Sequence, residues 1–249
     1  MLKATGEELT RAEDSRRNPS DAVGCGPFGH SKASSRYEGS NVKPRDEYDR
    51  NRLLLEWVGD GRRVLEVGCS TGYMSRDLVE RGCCVTGIEV DPIAAERARA
   101  FCQEVYVLDL DAPDWVAGLP ERGFDVVLLG DVLEHLVMPD TTLLQLREVL
   151  TSGGALVISL PNVVHWVTRL KILFGQFNYE PWGALDHTHL RFFTTKTARV
   201  LIEAAGYRIT RFHPAIGGRF NGRARPAWQW LAHFAPGLFA YQMLFEAKI

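Results

Sequence analysis

The sequence predicts an α/β protein built on a doubly wound, mostly parallel sheet. Short apolar runs alternate with segments of helical periodicity, which is the order expected of βαβ units. The first apolar run, 64–67, breaks into a glycine turn, Gly68–Gly72, and a helical pattern opens at Tyr73. Acidic residues close the strands that follow. Together these observations predict a ligand site at the carboxyl ends of the strands, where the strand order reverses.

Residues 1–45 precede the predicted domain. They are rich in Ser, Gly, Arg, Glu and Asp and offer few apolar side chains to bury, so we expect a mobile N-terminal arm. Tyr37 is predicted to close over a bound ligand, with a nonspecific contact as the alternative. In 46–58 the apolar residues follow helical spacing and stop at Gly59, which predicts a helix packed beside the first strand.

The next two strands follow the glycine turn. Segments 83–88 and 105–108 are apolar and short, as buried strands are, and they are closed by Glu89 and Asp109. Pro92 suits the first position of the helix between them. An acid after the second strand is placed to accept hydrogen bonds from a ribose diol.

The second half of the chain repeats this pattern. A fourth strand, 124–129, precedes a turn that carries Asp131, and a helix at 141–150 leads to a fifth strand at 155–160. The final strand returns after a long excursion, which predicts a seven-stranded sheet with an antiparallel last strand. The remaining elements are a helix at 195–205, a strand at 207–212 and the last strand at 239–249.

Composition indicates one large domain. The chain has 249 residues, of which 45% are hydrophobic and 24% charged. A net charge of −2 gives no electrostatic footprint for nucleic acid. The N-terminus is polar and no apolar segment reaches the roughly 18 residues of a membrane span, so we expect a cytoplasmic protein. Five cysteines without a C-x-x-C pair indicate neither a disulfide framework nor a zinc site.

The glycine turn on its own leaves several interpretations open. A βα turn with two glycines can bind nothing at all. A dinucleotide fingerprint that starts at Gly68 would need glycine where the chain has Ser70 and Tyr73. A phosphate-binding P-loop would need Gly-Lys-Ser/Thr at its end, and this is absent. The two common nucleotide motifs are therefore excluded.

Four motifs occur in order along the chain. They are E-x-G-C-S-T-G after the first strand, G-I-E-V-D-P after the second, L-D-L-D after the third and G-D-V-L-E-H-L after the fourth. Over about 46–212 the chain thereby resembles class I S-adenosylmethionine-dependent methyltransferases, which implies a Rossmann-like sheet, that cofactor and its product S-adenosylhomocysteine. Segment 186–207 further resembles the small-molecule branch that acts on sugars, polysaccharides and natural products. Ser70 departs from the family, where many members have glycine.

The resemblance implies cofactor contacts at successive strand ends. Carboxylates there suit a cofactor that carries an ammonium, a diol and a cationic sulfur. The residues implied to contact the methionine part are Glu66, Gly68, Cys69 and Gly72, with Ser70 as a further cofactor contact in the same turn. Glu89 would hold the ribose, and Val90, Asp109 and Leu110 would meet the adenine. Gly130 and Asp131 would lie near the sulfonium.

A histidine-rich segment is predicted to supply the chemistry. Methyl transfer is an in-line displacement, so the protein mainly aligns the acceptor. A hydroxyl acceptor must also lose its proton, and histidine is the commonest base. We predict His187 or His189 as the base and Asp186 as the group that orients it, because 186–189 is expected to hang over the cofactor. The alternative is that these side chains hydrogen-bond the loop to itself.

A divalent metal is the competing way to ionise a hydroxyl. Asp131, Glu134 and His135 fall at i, i+3 and i+4 and would share one face of a helical turn. We favour the metal-free interpretation, in which Asp131 faces the cofactor while Glu134 and His135 hold the turn.

Two insertions, 162–194 and 214–237, interrupt the methyltransferase domain at 46–249 and are expected to select the substrate. The first contains an amphipathic segment, 163–175, that we expect to pack onto the core rather than to anchor in a membrane. The second suits an anionic or carrier-linked substrate because it is basic, with arginines at Arg219, Arg223 and Arg225.

The sequence thus predicts methyl transfer to a hydroxyl of a small molecule: a sugar, a glycan intermediate or a natural product. The alternatives are N- or C-methylation of a small molecule and a noncatalytic cofactor-binding module. Nucleic acid is a weaker fit, because the turn after the fourth strand lacks the Asn/Asp-Pro-Pro-aromatic pattern of many base-amine methyltransferases. The sequence does not decide whether the protein forms a homodimer.

Overall fold

The computed structural model describes residues 50–181, 183–217 and 224–249. Tyr37, Arg219 and Arg223 lie outside the described residues, as does the predicted arm. The strands are β1 Arg63–Val67, β2 Cys84–Glu89, β3 Glu104–Val107, β4 Phe124–Gly130, β5 Leu150–Pro161, β6 Arg208–Ala215 and β7 Gln242–Lys248. The α-helices are α1 Arg50–Val58, α2 Tyr73–Glu80, α3 Pro92–Ala98, α4 Pro139–Leu146, α5 Trp166–Leu173, α6 Thr195–Ala204, α7 Arg225–Phe234 and α8 Pro236–Phe239.

The strands form one seven-stranded sheet in the order β3-β2-β1-β4-β5-β7-β6. The first five strands pair in parallel, and β7 lies antiparallel between β5 and β6. The predicted α/β fold with an antiparallel last strand is confirmed. From β1 the chain builds outward to β3 and then returns to β4 on the other side of β1. This reversal opens a crevice at the carboxyl ends of β1 and β4.

Both faces of the sheet are covered, which explains why its central strands are mainly apolar. Successive residues of a strand point to opposite faces. Leu65 and Val127 accordingly pack in one core cluster, whereas their neighbours Val64 and Val126 pack in the other. The first cluster includes side chains of α4 and α6, and the second includes side chains of α1, α2 and α3. The helices therefore fix the sheet from both sides and leave its carboxyl edge open.

Several element boundaries differ from the predicted ones. β5 begins at Leu150 rather than at residue 155, because Leu150 pairs with Phe124 before the register shifts. Helix α4 consequently ends at Leu146, four residues before its predicted end. β6 continues to Ala215, so the predicted insertion at 214–237 starts inside the sheet.

Helix α5 does not pack onto the core as expected. Thr168 is its only buried residue, and the apolar side chains of Leu173 and Phe174 are 76% and 75% exposed. The expectation of a core helix is therefore wrong for this segment, whose apolar stripe faces solvent. Within the described ranges, no helix has the length and apolar character needed to cross a membrane.

Candidate active site

A cavity of about 320 Å³ opens at the carboxyl ends of β1, β2 and β4. This volume lies within the range of small-molecule pockets. Six of the residues predicted to bind a cofactor line it, although they come from four separate stretches of sequence: Gly68, Glu89, Val90, Asp109, Leu110 and Asp131. The structure therefore brings the predicted strand ends together in one site.

The turn after β1 depends on left-handed backbone. Gly68 and Gly72 have φ values of 67° and 78°, which glycine adopts without strain. A Cβ on Gly68 would lie 2.8 Å from Val132 Cγ2, whereas one on Gly72 would lie 3.0 Å from Ala98 Cα. Gly68 thus lets the first turn approach the turn after β4, and Gly72 lets α2 begin against α3. Ser70 is also left-handed, with φ 50°, which explains why glycine suits this position.

Glu89 is held firmly at the cavity wall. Its Oε2 accepts a 2.8 Å hydrogen bond from the backbone N–H of Ser70, and its Oε1 accepts from the N–H groups of Val90 and Asp91 at 2.9 and 3.0 Å. Three donors fix the carboxylate without a charged partner among these contacts. It is therefore an oriented acceptor before any ligand binds.

Glu66 and Cys69 lie beneath the turn rather than in the cavity wall. Glu66 is 4% exposed and accepts a hydrogen bond from Ser75 Oγ. Burial raises the pKa of Glu66 to about 8, and the hydrogen bond only partly opposes it. Cys69 is fully buried. Ser70, Gly72 and Gly130 are also absent from the cavity lining, so the cofactor contacts of these five residues stay predictions.

Asp131 sits in strained backbone at the end of β4. Its φ is 58°, a left-handed value that non-glycine residues rarely adopt. Its Oδ2 pairs with Arg50 Nη1, and its Oδ1 accepts a 2.7 Å hydrogen bond from Ser159 Oγ. No sequence motif pointed to Arg50 or Ser159. These contacts hold the side chain of Asp131, which lines the cavity.

The three predicted catalytic residues of the loop at 186–189 have different environments. Asp186 Oδ1 accepts hydrogen bonds from the backbone N–H and the Oγ1 of Thr188 at 2.8 and 2.7 Å, so its carboxylate stabilises its own turn. The side chain of His187 is 64% exposed. The side chain of His189, in contrast, is only 7% exposed and turns inward. His189 is therefore the inward-facing histidine of the predicted pair.

His189 meets two residues of the turn after β4. Its Nε2 lies 4.0 Å from Glu134 Oε1, and its ring lies edge-on to His135 with centroids 4.8 Å apart. Burial, followed by the nearby His135, lowers the pKa of His189. Of these three residues His135 lines the cavity, and Glu134 and His189 lie beside it. No motif or spacing in the sequence predicted that His189 would contact Glu134 and His135.

The sequence predicted that Asp131, Glu134 and His135 share one face of a helical turn. In the structure the side chains of Glu134 and His135 cluster with that of His189 instead. Residues 133–135 form a short 3₁₀ turn, and Asp131 turns toward Arg50. Glu134 is fully buried. Burial, reinforced by the charge of Asp131, raises the pKa of Glu134 well above its usual range.

Comparison with known proteins identifies the family. A sequence-family model that describes a methyltransferase domain matches residues 42–211, which is more than half of the chain. The chain belongs to this methyltransferase family. The family match includes the strand ends that line the cavity and the cluster of Glu134, His135 and His189.

Two similar proteins are ubiquinone biosynthesis O-methyltransferases. The methyltransferase is 28% identical to the ubiquinone biosynthesis O-methyltransferase of Aeromonas salmonicida, over 63% of this chain and 69% of the relative. It is also 28% identical to the mitochondrial ubiquinone biosynthesis O-methyltransferase of Homo sapiens, over 73% of this chain but only 50% of the relative. The chain thus spans about half the length of the human protein.

A solved structure supports the fold. Magnesium protoporphyrin IX methyltransferase from Synechocystis, determined with bound SAH, superposes with a TM-score of 0.55 at 18% identity, over 79% of this chain and 80% of that one. The match to a methyltransferase family agrees with S-adenosylmethionine as the cofactor, which the motifs predicted. The cavity suits this cofactor, because it offers carboxylate acceptors at Glu89 and Asp109 beside the apolar side chains of Val90 and Leu110.

Proposed function

We propose that the methyltransferase methylates a hydroxyl group of a small molecule. The observation that carries this proposal is that His135 lines the cavity together with Asp131, while Glu134 and His189 lie beside His135. A hydroxyl acceptor must lose its proton as the new bond forms, and imidazole groups serve this purpose. The relatives named O-methyltransferases support oxygen as the acceptor atom.

The cofactor supplies an activated methyl group, and the chain supplies binding and alignment. Glu89 would hold the ribose hydroxyls, since its carboxylate is already oriented at the wall. Val90, Asp109 and Leu110 would surround the adenine. Asp131 would face the cationic sulfur. Glu66, Gly68, Cys69, Ser70, Gly72 and Gly130 would complete the site from beneath the turn and the end of β4.

Within the loop we propose His189, rather than His187, as the residue that takes part in proton removal. His187 is exposed, whereas His189 contacts the ring that lines the cavity. Asp186 would support His189 by holding the turn that carries it.

A row of aromatic rings favours an acceptor with an aromatic or apolar body. The ring centroids of Phe177 and Phe192 are 6.1 Å apart, and those of Phe192 and His189 are 6.5 Å apart. The ring of His189 in turn contacts the ring of His135. Such a row suits a natural product better than a sugar or a glycan intermediate. Arg225, which was expected to attract an anionic substrate, is buried, so that preference would depend on the other two arginines.

The test is transfer of labelled methyl from S-[methyl-¹³C]adenosylmethionine to panels of phenols, sugars and amines, with NMR of the products. We expect the label on oxygen and faster transfer to phenols than to sugars. Label on nitrogen or carbon would contradict the proposal. Binding of the cofactor without transfer to any panel would favour the noncatalytic alternative.

A further inference from the structure

The carboxyl group of Glu134 is buried without a hydrogen-bond partner among the residues that the structure describes. Its side chain is 0% exposed, and neither carboxyl oxygen has a hydrogen-bond partner among the described residues. Buried polar groups are nearly always hydrogen-bonded, and an unpaired buried carboxylate is strongly disfavoured. The position of Glu134 therefore requires a partner that the described side chains do not provide.

Two imidazole rings face this carboxyl group. One ligand atom from each of Glu134, His135 and His189 lies within 4.8 Å of the other two. A tetrahedral ion bonded at about 2.0–2.2 Å would separate such atoms by about 3.4 Å. An inward shift of roughly 1 Å by the side chains would thus complete the coordination.

We propose that Glu134, His135 and His189 bind one divalent first-row transition-metal ion in the wall of the cavity. Two imidazoles and one carboxylate suit zinc, manganese, iron or cobalt, whereas magnesium prefers an all-oxygen set. Three protein ligands leave at least one position open, as in catalytic metal sites.

Backbone contacts around the cluster already orient its members. The Thr188 carbonyl lies 3.2 Å from His135 Nδ1, so this nitrogen carries the proton and Nε2 is left without one, as metal binding requires. The backbone N–H groups of Leu190 and Arg191 donate to the Glu134 carbonyl at 2.8 and 2.9 Å. These bonds fasten the loop of His189 to the turn of Glu134 and His135, so the ligand groups from two distant segments are held together.

The open position would face the cavity, because His135 is part of its lining. A hydroxyl oxygen bound there would release its proton to water more readily, and the resulting alkoxide would attack the methyl group with displacement of the sulfur. This role rests on the proposed function, and in it His135 and His189 promote the loss of the proton through the ion instead of accepting the proton themselves. The binding of the ion does not rest on the proposed function.

The binding test uses the full chain, freed of metal by a chelator and titrated separately with Zn²⁺, Mn²⁺ and Mg²⁺. We expect one Zn²⁺ or Mn²⁺ per chain. His187→Ala is the matched control and should bind equally, whereas Glu134→Gln and His189→Ala should bind at least about tenfold more weakly. Failure of the unaltered protein to bind Zn²⁺ and Mn²⁺, or equal binding by the two ligand variants, would overturn the proposal.

Cobalt(II) gives a test that needs no variant. We expect visible absorption of a protein-bound cobalt(II) ion that disappears when Zn²⁺ is added, and an unchanged aqueous cobalt spectrum would contradict the site. The catalytic role is tested by methyl transfer with and without chelator. Turnover that persists after the bound ion is removed would refute the catalytic role of the ion. Ion binding without any methyl transfer would refute the proposed function, whereas the proposed metal site would stand.

Discussion

The backbone N–H of Ser70 donates a 2.8 Å hydrogen bond to Glu89 Oε2. This bond joins the turn after β1 to the end of β2, so the two strand ends are fixed relative to each other. Glu89 also accepts from Val90 and Asp91. The ribose acceptor is therefore organised in advance, which reduces the ordering needed when the cofactor binds.

Glu89→Ala is expected to weaken the binding of S-adenosylhomocysteine by about 10–100-fold, because hydrogen bonds to a charged group contribute about 1.5–3 kcal/mol. Isothermal titration calorimetry measures the change. The matched control is Glu96→Ala, which removes an exposed carboxylate of α3 that pairs with Arg99. Equal affinity of Glu89→Ala and the unaltered protein would disprove the assignment.

Gly68→Ala is expected to destabilise the protein by about 2–4 kcal/mol, since it combines a left-handed φ with a clash against Val132. Val132→Ala should remove the clash but not the backbone strain. Gly68→Ala should therefore be less destabilising in the Val132→Ala background than in the unaltered protein. Urea denaturation of the four proteins gives the coupling energy, and a coupling of zero would mean that the two turns do not touch.

Acid is expected to weaken the contact between α7 and β6. Burial, and next the neighbouring His233, lowers the pKa of His213 to about 4 from an ordinary 6.5. Below pH 6.5 the unfolded chain then binds more protons than the folded one, so stability falls as the pH drops toward 4. After allowance for solvent at this half-buried ring, we expect a loss of about 1–2 kcal/mol.

His213→Gln should reduce this acid destabilisation. Free energies of unfolding at pH 7.5 and pH 4.5 provide the comparison, with the exposed His187→Gln as the control. His213 and His233 lie 5.2 Å apart at their ring centroids, and Gln229 of α7 donates to the Pro214 carbonyl at 2.7 Å. An unchanged pH dependence in His213→Gln would assign the effect to other groups.

His189→Ala is expected to lower the turnover number by at least about 100-fold, the usual contribution of a group that assists proton removal. His187→Ala should change it by less than about twofold, since this side chain is exposed. Calorimetry with S-adenosylhomocysteine should give equal affinities for both variants. If the two variants have the same turnover, the distinction between the two histidines is wrong.

The sequence predicted the sheet and most of the cavity for a physical reason. Parallel strands end at the same edge, so Glu89, Asp109 and Asp131 had to lie near the turn of Gly68 once the strand order was known. The contact of His189 with Glu134 follows no such rule, because the path of a long loop depends on tertiary packing. The pairing of Arg50 with Asp131 and the exposure of Leu173 could not be predicted from the sequence, because they too depend on tertiary packing.

A structure of the protein with S-adenosylhomocysteine tests the central claim most directly. The account predicts the ligand in the cavity of Gly68, Glu89 and Asp131, with its ribose hydroxyls on the Glu89 carboxylate and its sulfur on the side of Asp131. A ligand bound elsewhere, or in this cavity with its ribose away from Glu89, would contradict the account.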